Sequence, residues 1–244
     1  MLAMVAAIKE ETRGIKNRMN IIRTVERDGF RLFEGFFKSK EILLVQTGIG
    51  QEKAEKAVNF ILEQYPVSTL ISFGFAGALT AESKIGDICV CSKICCDDSS
   101  IREYCSDISL LSLCLKQETN SKMRLREAKI VTVNRPVCET ETRLSLGEAS
   151  HCDIVDMESY RIATIASRKQ IPFISIRAIS DTVGEKLPPF DAMINANGKW
   201  RWEKIIPYFI FHPGQIPGLY RNFRLSGDNL TAYFNILADR LLWK

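Results

Sequence analysis

Short apolar runs alternate with stretches of helical periodicity through the first 180 residues of this chain. Leu2 to Ile8 is a compact apolar run that meets Lys9-Glu10-Glu11 at once, which predicts a buried strand and then a short helix beginning near Glu10. Phe30 to Phe37 and Glu41 to Gln46 predict two strands joined by the polar turn Lys38-Ser39-Lys40. Thr47-Gly48-Ile49-Gly50 opens a helix to about Tyr65, with Ala54, Ala57, Val58, Ile61 and Leu62 on one face, and Pro66 ends it. Leu70 to Phe73 is the next buried strand and runs into Gly74-Phe75-Ala76-Gly77. A longer strand spans Ile85 to Ile94, residues 97 to 106 read as a polar loop, and Ile108 to Leu115 as a helix. A strand over Lys129 to Val133 and a helix over Glu139 to Gly147 follow. They lead to a strand at Asp153 to Asp156, a helix from Tyr160 to Lys169, and an apolar strand ending at Asp181.

This alternation predicts an α/β sheet in one continuous domain spanning 1–244. A right-handed β-α-β unit would set the strand ends at Glu158 and Asp181 side by side on one edge of a parallel sheet, where open α/β folds place their ligands. Beyond Asp181 the character changes. Leu187-Pro188-Pro189 reads as a stiff linker into a helical C-terminal extension over 186–244, reaching Trp243. Within it, Lys199-Trp200-Arg201-Trp202 precedes the aromatic run Ile205 to Phe211. That stretch fits a helix and an extended segment packed on the sheet. It also fits tryptophans and basic groups at a membrane surface or the mouth of an apolar tunnel.

Composition narrows the class. A net charge of +4 on 244 residues, with no run of about five or six like charges, gives no footprint for nucleic acid. The N-terminal apolar stretch lacks a preceding basic region, and no eighteen-residue apolar run occurs, so the cytoplasm is the expected location. The eight cysteines contain no C-x-x-C pair. Cys91, Cys95 and Cys96 have the wrong spacing for a zinc ribbon, while Cys89 and Cys91 share one strand face, which favours small buried thiols kept reduced. No metal and no cofactor is expected.

The chemistry sits at strand ends. Glu11 follows the first strand, Gly48-Ile49-Gly50 the third, Phe75-Ala76-Gly77 another, and the carboxylates Glu158 and Asp181 complete the set. The Gly-x-Gly does not extend to a dinucleotide fingerprint, because Lys53 occupies the last glycine position. As bare residues, Asp156 and Asp181 also suit helix caps, Glu11 suits a solvated first turn, and His151 and His212 read as ordinary loop histidines.

Five ordered motifs resemble the nucleoside phosphorylase superfamily over about residues 2 to 190. They are Ala6-Ala7-Ile8-Lys9-Glu10-Glu11, Thr47-Gly48-Ile49-Gly50, Gly74-Phe75-Ala76-Gly77 with Gly86-Asp87, Asp156-Met157-Glu158-Ser159, and Ile176-Arg177-Ala178-Ile179-Ser180-Asp181. The nearer likeness is to the methylthioadenosine/S-adenosylhomocysteine nucleosidase branch. Within it, Val131 to Val137, the Asp-Met-Glu-Ser form, Leu187-Pro188 and His212-Pro213 look like hopanoid-associated adenosylhopane nucleosidases.

The resemblance implies a three-layer α/β/α sandwich with a mixed, largely parallel central sheet, and a homodimer. It implies cleavage of a purine N-glycosidic bond, with Asp181 as general acid toward N7 of the base and Glu11 orienting the attacking water. Glu158 would accept the ribose hydroxyls and stay ionised, and Met157 would pack on the sugar. Ile49, Phe75, Gly77 and Val137 would line the pocket, Ser180 would support Asp181, and Arg177 would steer Glu158 or the nucleophile. Phe75 departs from the serine usual at its position and shifts the pocket toward apolar content, which opens the door to a lipid-linked nucleoside and a peripheral membrane contact. The acidic Lys9-Glu10-Glu11 loop favours water over phosphate as nucleophile, while Arg135 and Arg177 keep phosphorolysis open. A silent binder of the same fold is the remaining alternative.

Overall fold

The structure, a computed structural model, describes residues 1–97, 103–117, 123–193 and 201–241. Its first half runs β1 (Leu2–Ala6), α1 (Lys9–Lys16), β2 (Met19–Arg27), β3 (Phe30–Phe37), β4 (Lys40–Gln46), α2 (Gln51–Gln64), β5 (Thr69–Ala78) and β6 (Ile88–Cys96). Then come β7 (Tyr104–Cys105), α3 (Ile108–Leu115), β8 (Leu125–Thr132), α4 (Thr140–Ser150), β9 (Ile154–Asp156), α5 (Ser159–Arg168) and β10 (Phe173–Asp181). The C-terminal part is helical: α6 (Phe190–Met193), α7 (Trp202–Phe211) and α8 (Gln215–Leu241).

The layers follow from the two-residue period of the strands. Ala3 and Val5 of β1 face the side packed by Ala57, Val58 and Ile61 of α2 and by Ile162 and Ile165 of α5. Met4 and Ala6 face the other way, toward Ile15 of α1, Cys114 of α3, and Leu230, Tyr233 and Leu237 of α8. Helices thus cover both faces of a mixed sheet, as the α/β reading expects. Cys89 and Cys91 lie buried on one face of β6, in the core packed by α2 and α5.

The strands run in the order β10-β6-β8-β9-β5-β1-β4-β3-β2, and β10 also pairs with β5, so five of them close into a ring. This corrects the expected β-α-β unit. β9 is only three residues long, runs parallel to β8 and antiparallel to β5, and never neighbours β10. The ten-residue β5 makes the meeting instead: its Gly77 is opposite Val155 of β9 on one side and Asp181 of β10 on the other. Gly74-Phe75-Ala76-Gly77 is therefore strand rather than a post-strand loop.

Other differences are local. β2 was not expected, because Met19–Arg27 has no buried residue and so no apolar alternation to read. Its hairpin signal is the turn Asp28-Gly29, with φ of 50° and 85°. The expected loop at 97 to 106 contains β7 at its end, with 98–102 outside the described residues. Ile205 to Phe211 is helical, and Ile206, Ile210 and Phe211 are exposed instead of packed on the sheet. Lys199, Trp200 and Trp243 lie outside the described residues. Among the described residues no helix is long and apolar enough to cross a membrane.

Candidate active site

Asp181 ends β10 at a register irregularity that leaves Ser180 without its own partner across β5. Ser180 Oγ lies 2.7 Å from Asp181 Oδ1 and donates to it. Asp181 Oδ2 accepts from Arg143 Nη2 at 2.5 Å. Arg143 is buried, and its guanidinium also donates to the carbonyls of Val137 and Thr182 at 2.8 and 3.1 Å. It thereby ties the 137 loop and the end of β10 around one carboxylate. Burial pushes the Asp181 pKa up, against the pull of Arg143 and of the Ser180 hydroxyl. Glycine is required beside it: a Cβ on Gly77 would stand 2.8 Å from Asp181 Oδ2 and 3.3 Å from Arg143 Nη2. Gly77→Ala is expected to displace the carboxylate and lower turnover by roughly 10²-fold while the protein stays folded, a result that kinetics and circular dichroism on the same sample would check.

Glu11 is the third residue of α1 and reaches back over its own helix start. Its Oε2 accepts the Ala7 and Ile8 amides at 2.8 and 2.9 Å, and its Oε1 accepts the Phe75 amide at 2.8 Å. The carboxylate thus satisfies orphan donors of the helix and also reaches across to β5. It is buried rather than solvated, and burial raises its pKa despite these three amides and Arg177. Gly74 makes room for it, since a Cβ there would lie 2.3 Å from Oε1.

Glu158 stands at the N-terminus of α5 and accepts the Gly50 amide at 2.7 Å. Gly48 and Gly50, with φ of 83° and 102°, bend the chain so that this amide faces the carboxylate. Burial, then the nearby Asp156 charge, pushes the Glu158 pKa up to about 8, with Glu11 adding to the rise and Gly50 and Arg177 opposing it. Glu158 was expected to remain ionised. Three carboxyl groups sharing one buried region push its balance toward the protonated form, against that expectation.

Asp156 serves the frame. It accepts from Thr132 Oγ1 at 2.6 Å and from the Ser159 amide of α5 at 3.0 Å, and forms an ion pair with Arg177 at 2.8 Å. Arg177 also donates to Ser72 and Ser159 hydroxyls, both at 2.7 Å. This buried network sits under Glu11 and Glu158 and fixes where β5, β10 and α5 meet. His151 ends α4 in the left-handed region and His212 stacks on Tyr208, both exposed.

One cavity of about 210 Å³ is lined by Glu11, Ile49, Phe75, Gly77, Val137, Met157, Glu158, Ser180 and Asp181. Arg135 borders a neighbouring cavity instead, and of the ten residues given site roles from sequence Arg177 alone is missing from that lining. It borders a smaller void behind Glu11 and Glu158, where its guanidinium is held by Asp156. The walls add Ile8, Pro136, Leu187, Phe190 and Phe223, which sequence reasoning passed over, and Phe223 meets Phe75 at 5.3 Å between ring centroids. Arg143 was passed over too. It lies in Thr140-Glu141-Thr142-Arg143, a polar stretch that reads as a solvated helix start. Among the described residues lining this cavity, Arg143 is the one cation.

A family model described as "Phosphorylase superfamily" matches residues 2–199. The chain belongs to that superfamily. Its curated relatives include a 5′-methylthioadenosine/S-adenosylhomocysteine nucleosidase of Aeromonas salmonicida, 22% identical over 84% of this chain and 96% of the relative. An aminodeoxyfutalosine nucleosidase of Campylobacter jejuni is 23% identical over 76% of this chain and 87% of the relative. Among solved structures, a Neisseria meningitidis 5′-methylthioadenosine/S-adenosylhomocysteine nucleosidase in complex with methylthio-immucillin-A superposes with a TM-score of 0.78 at 18% identity, covering 97% of both chains. A futalosine hydrolase of Helicobacter pylori gives 0.77 at 17% identity, covering 98% of this chain and 97% of that one. At these identities the solved structures speak for the fold, which they share throughout.

Proposed function

We propose that this superfamily member hydrolyses the N-glycosidic bond of an adenine nucleoside whose 5′ substituent is apolar, releasing adenine. The observation that carries the reading is the convergence of Glu11, Glu158 and Asp181 on one cavity, reached from three separate strand ends. The curated relatives' names, 5′-methylthioadenosine/S-adenosylhomocysteine nucleosidase and aminodeoxyfutalosine nucleosidase, support it from outside.

The geometry supports a role for each. Asp181, its pKa raised by burial, delivers a proton to N7 as the bond between C1′ and N9 breaks, so the base leaves neutral. Ribose hydroxyls donating to Glu158 draw its pKa back down and drive it to the carboxylate, placing negative charge beside the cationic sugar as it forms. Glu11 takes a proton from water as its oxygen bonds to C1′. Met157 packs against the sugar face.

Water is favoured over phosphate for an electrostatic reason. The nucleophile side presents Glu11 and Glu158, Arg177 is held by Asp156, and Arg143 is held by Asp181. An oxyanion there would face carboxylates without a cation to receive it. Size and composition favour the apolar 5′ group. Ligand pockets for drug-sized molecules run to roughly 300–1,000 Å³. A cavity of about 210 Å³ therefore holds base and sugar and leaves a long substituent to pass out between Ile8, Ile49, Phe190 and Phe223. Adenosylhopane fits this description, and a homodimer belongs to the same reading.

Adenine release from adenosines bearing 5′ methylthio, 5′ alkyl and 5′ terpenoid groups, with and without phosphate, tests it. Release independent of phosphate, with kcat/KM rising with the size of the apolar group, is expected. Release only with phosphate would make the enzyme a phosphorylase, and silence across the series would make it a binder.

A further inference from the structure

Six of the ten exposed large hydrophobic residues among the described residues fall in one stretch: Ile206, Ile210, Phe211, Ile216, Tyr220 and Leu225. No residue from 203 to 221 is buried, although α7 is almost wholly apolar. Ile210 and Phe211 are 67% and 79% exposed. An apolar concentration of this kind marks a surface made to be covered.

Two observations say by what. The stretch from 201 to 228 carries Arg201, Lys204, Arg221 and Arg224 against Glu203, which pairs with Arg201, and Asp228, which pairs with Arg224, so the net charge beside the apolar residues is positive, carried by Lys204 and Arg221. A helix pair with an apolar face and basic flanks suits the boundary of a bilayer carrying anionic headgroups. The second observation is continuity with the cavity: α8 carries Ile216 and Tyr220 on the exposed patch and, one turn further on, Phe223 in the cavity wall against Phe75. From these we infer that the α7–α8 hairpin seats on an anionic lipid surface and turns the cavity mouth toward it. The purpose of this docking, delivery of a substrate held in the bilayer by its 5′ group, rests on the apolar-nucleoside reading above. The docking itself does not.

The experiment is co-sedimentation of the full chain, without nucleoside, with vesicles of phosphatidylcholine alone and of phosphatidylcholine mixed equally with phosphatidylglycerol. The protein is expected to sediment with the mixed vesicles and at least tenfold more weakly with the neutral ones. Ile210→Glu with Phe211→Glu is expected to weaken that partition at least tenfold, and Lys204→Glu about fivefold or more, since each basic residue near such a surface is worth about 1 kcal/mol. Neither variant touches the cavity, so adenine release from a soluble nucleoside stays unchanged. Failure of the wild type to sediment, or a double variant that partitions like the wild type, would overturn the inference. So would a double variant that halves the particle mass in light scattering, because a second copy of the chain would then be the cover. As the vesicle assay contains no nucleoside, its failure leaves the cleavage reading intact, and absence of cleavage leaves the docking result intact.

Discussion

Asp181→Asn is expected to lower kcat by roughly 10²- to 10⁴-fold, the usual contribution of a positioned proton donor, with little change in affinity for adenine. The amide keeps the shape: its oxygen can accept from Arg143 while its NH2 donates to the Ser180 hydroxyl, but it has no proton to transfer to N7. The substitution also removes the carboxylate form that pairs with Arg143, leaving that buried charge beside a group that is neutral at every pH. Breaking a buried ion pair by removing one partner costs roughly 3–5 kcal/mol, so the variant should unfold earlier in urea. Chemistry and stability separate in the double variant Asp181→Asn with Arg143→Met. It should recover much of the lost stability and none of the turnover. A single Asp181→Asn enzyme with near-normal kcat would remove Asp181 from the acid role.

Glu158→Gln is expected to stabilise the protein while abolishing most activity. The Glu158 pKa is raised from 4.5 to about 8 in the folded state. A carboxyl with a raised folded pKa contributes stability below its unfolded value, and that contribution is lost as pH rises toward the folded one. Glutamine accepts the Gly50 amide without titrating, so the gain should be small at pH 5 and reach on the order of 2–4 kcal/mol at pH 8. Denaturant midpoints at the two pH values would check it; equal gaps at both would show that Glu158 does not titrate in this range. Turnover should fall by roughly 10²-fold or more, because no charge then opposes the sugar cation. Nucleoside affinity of the wild type should also improve as pH rises from 6 toward 8, since the hydroxyls bind the carboxylate form.

What could be read in the chain beforehand depended on whether a residue's duty was local. Most elements of the sheet and the helices α2 and α5 announce themselves, because Ala54, Ala57 and Ile61, or Ile162 and Ile165, must repeat at helical spacing to bury one face. The glycine and carboxylate motifs were legible because their chemistry recurs in a known order. Ring closure was not: the pairing of β9 with β5 involves two residues on each strand, too few to leave a pattern. Arg143 was invisible for a related reason. Its meaning lies in Asp181, 38 positions away, and nothing around it distinguishes a buried arginine from a solvated one. Phe190 and Phe223 belong to the cavity only because α6 and α8 fold back to its wall, a consequence of tertiary packing. The reading of the aromatic tail stayed divided for the same cause, since helical periodicity over Ile205 to Phe211 cannot say whether the apolar side meets protein.

The most direct test is a crystal structure of the enzyme with a 5′-alkylthio adenosine analogue that cannot be cleaved. Adenine N7 should lie within about 2.6–3.2 Å of the Asp181 carboxyl, with both ribose hydroxyls on Glu158 and the alkyl group leaving past Phe223. A base bound away from Asp181, or a sugar whose hydroxyls reach some group other than Glu158, would contradict the proposed mechanism.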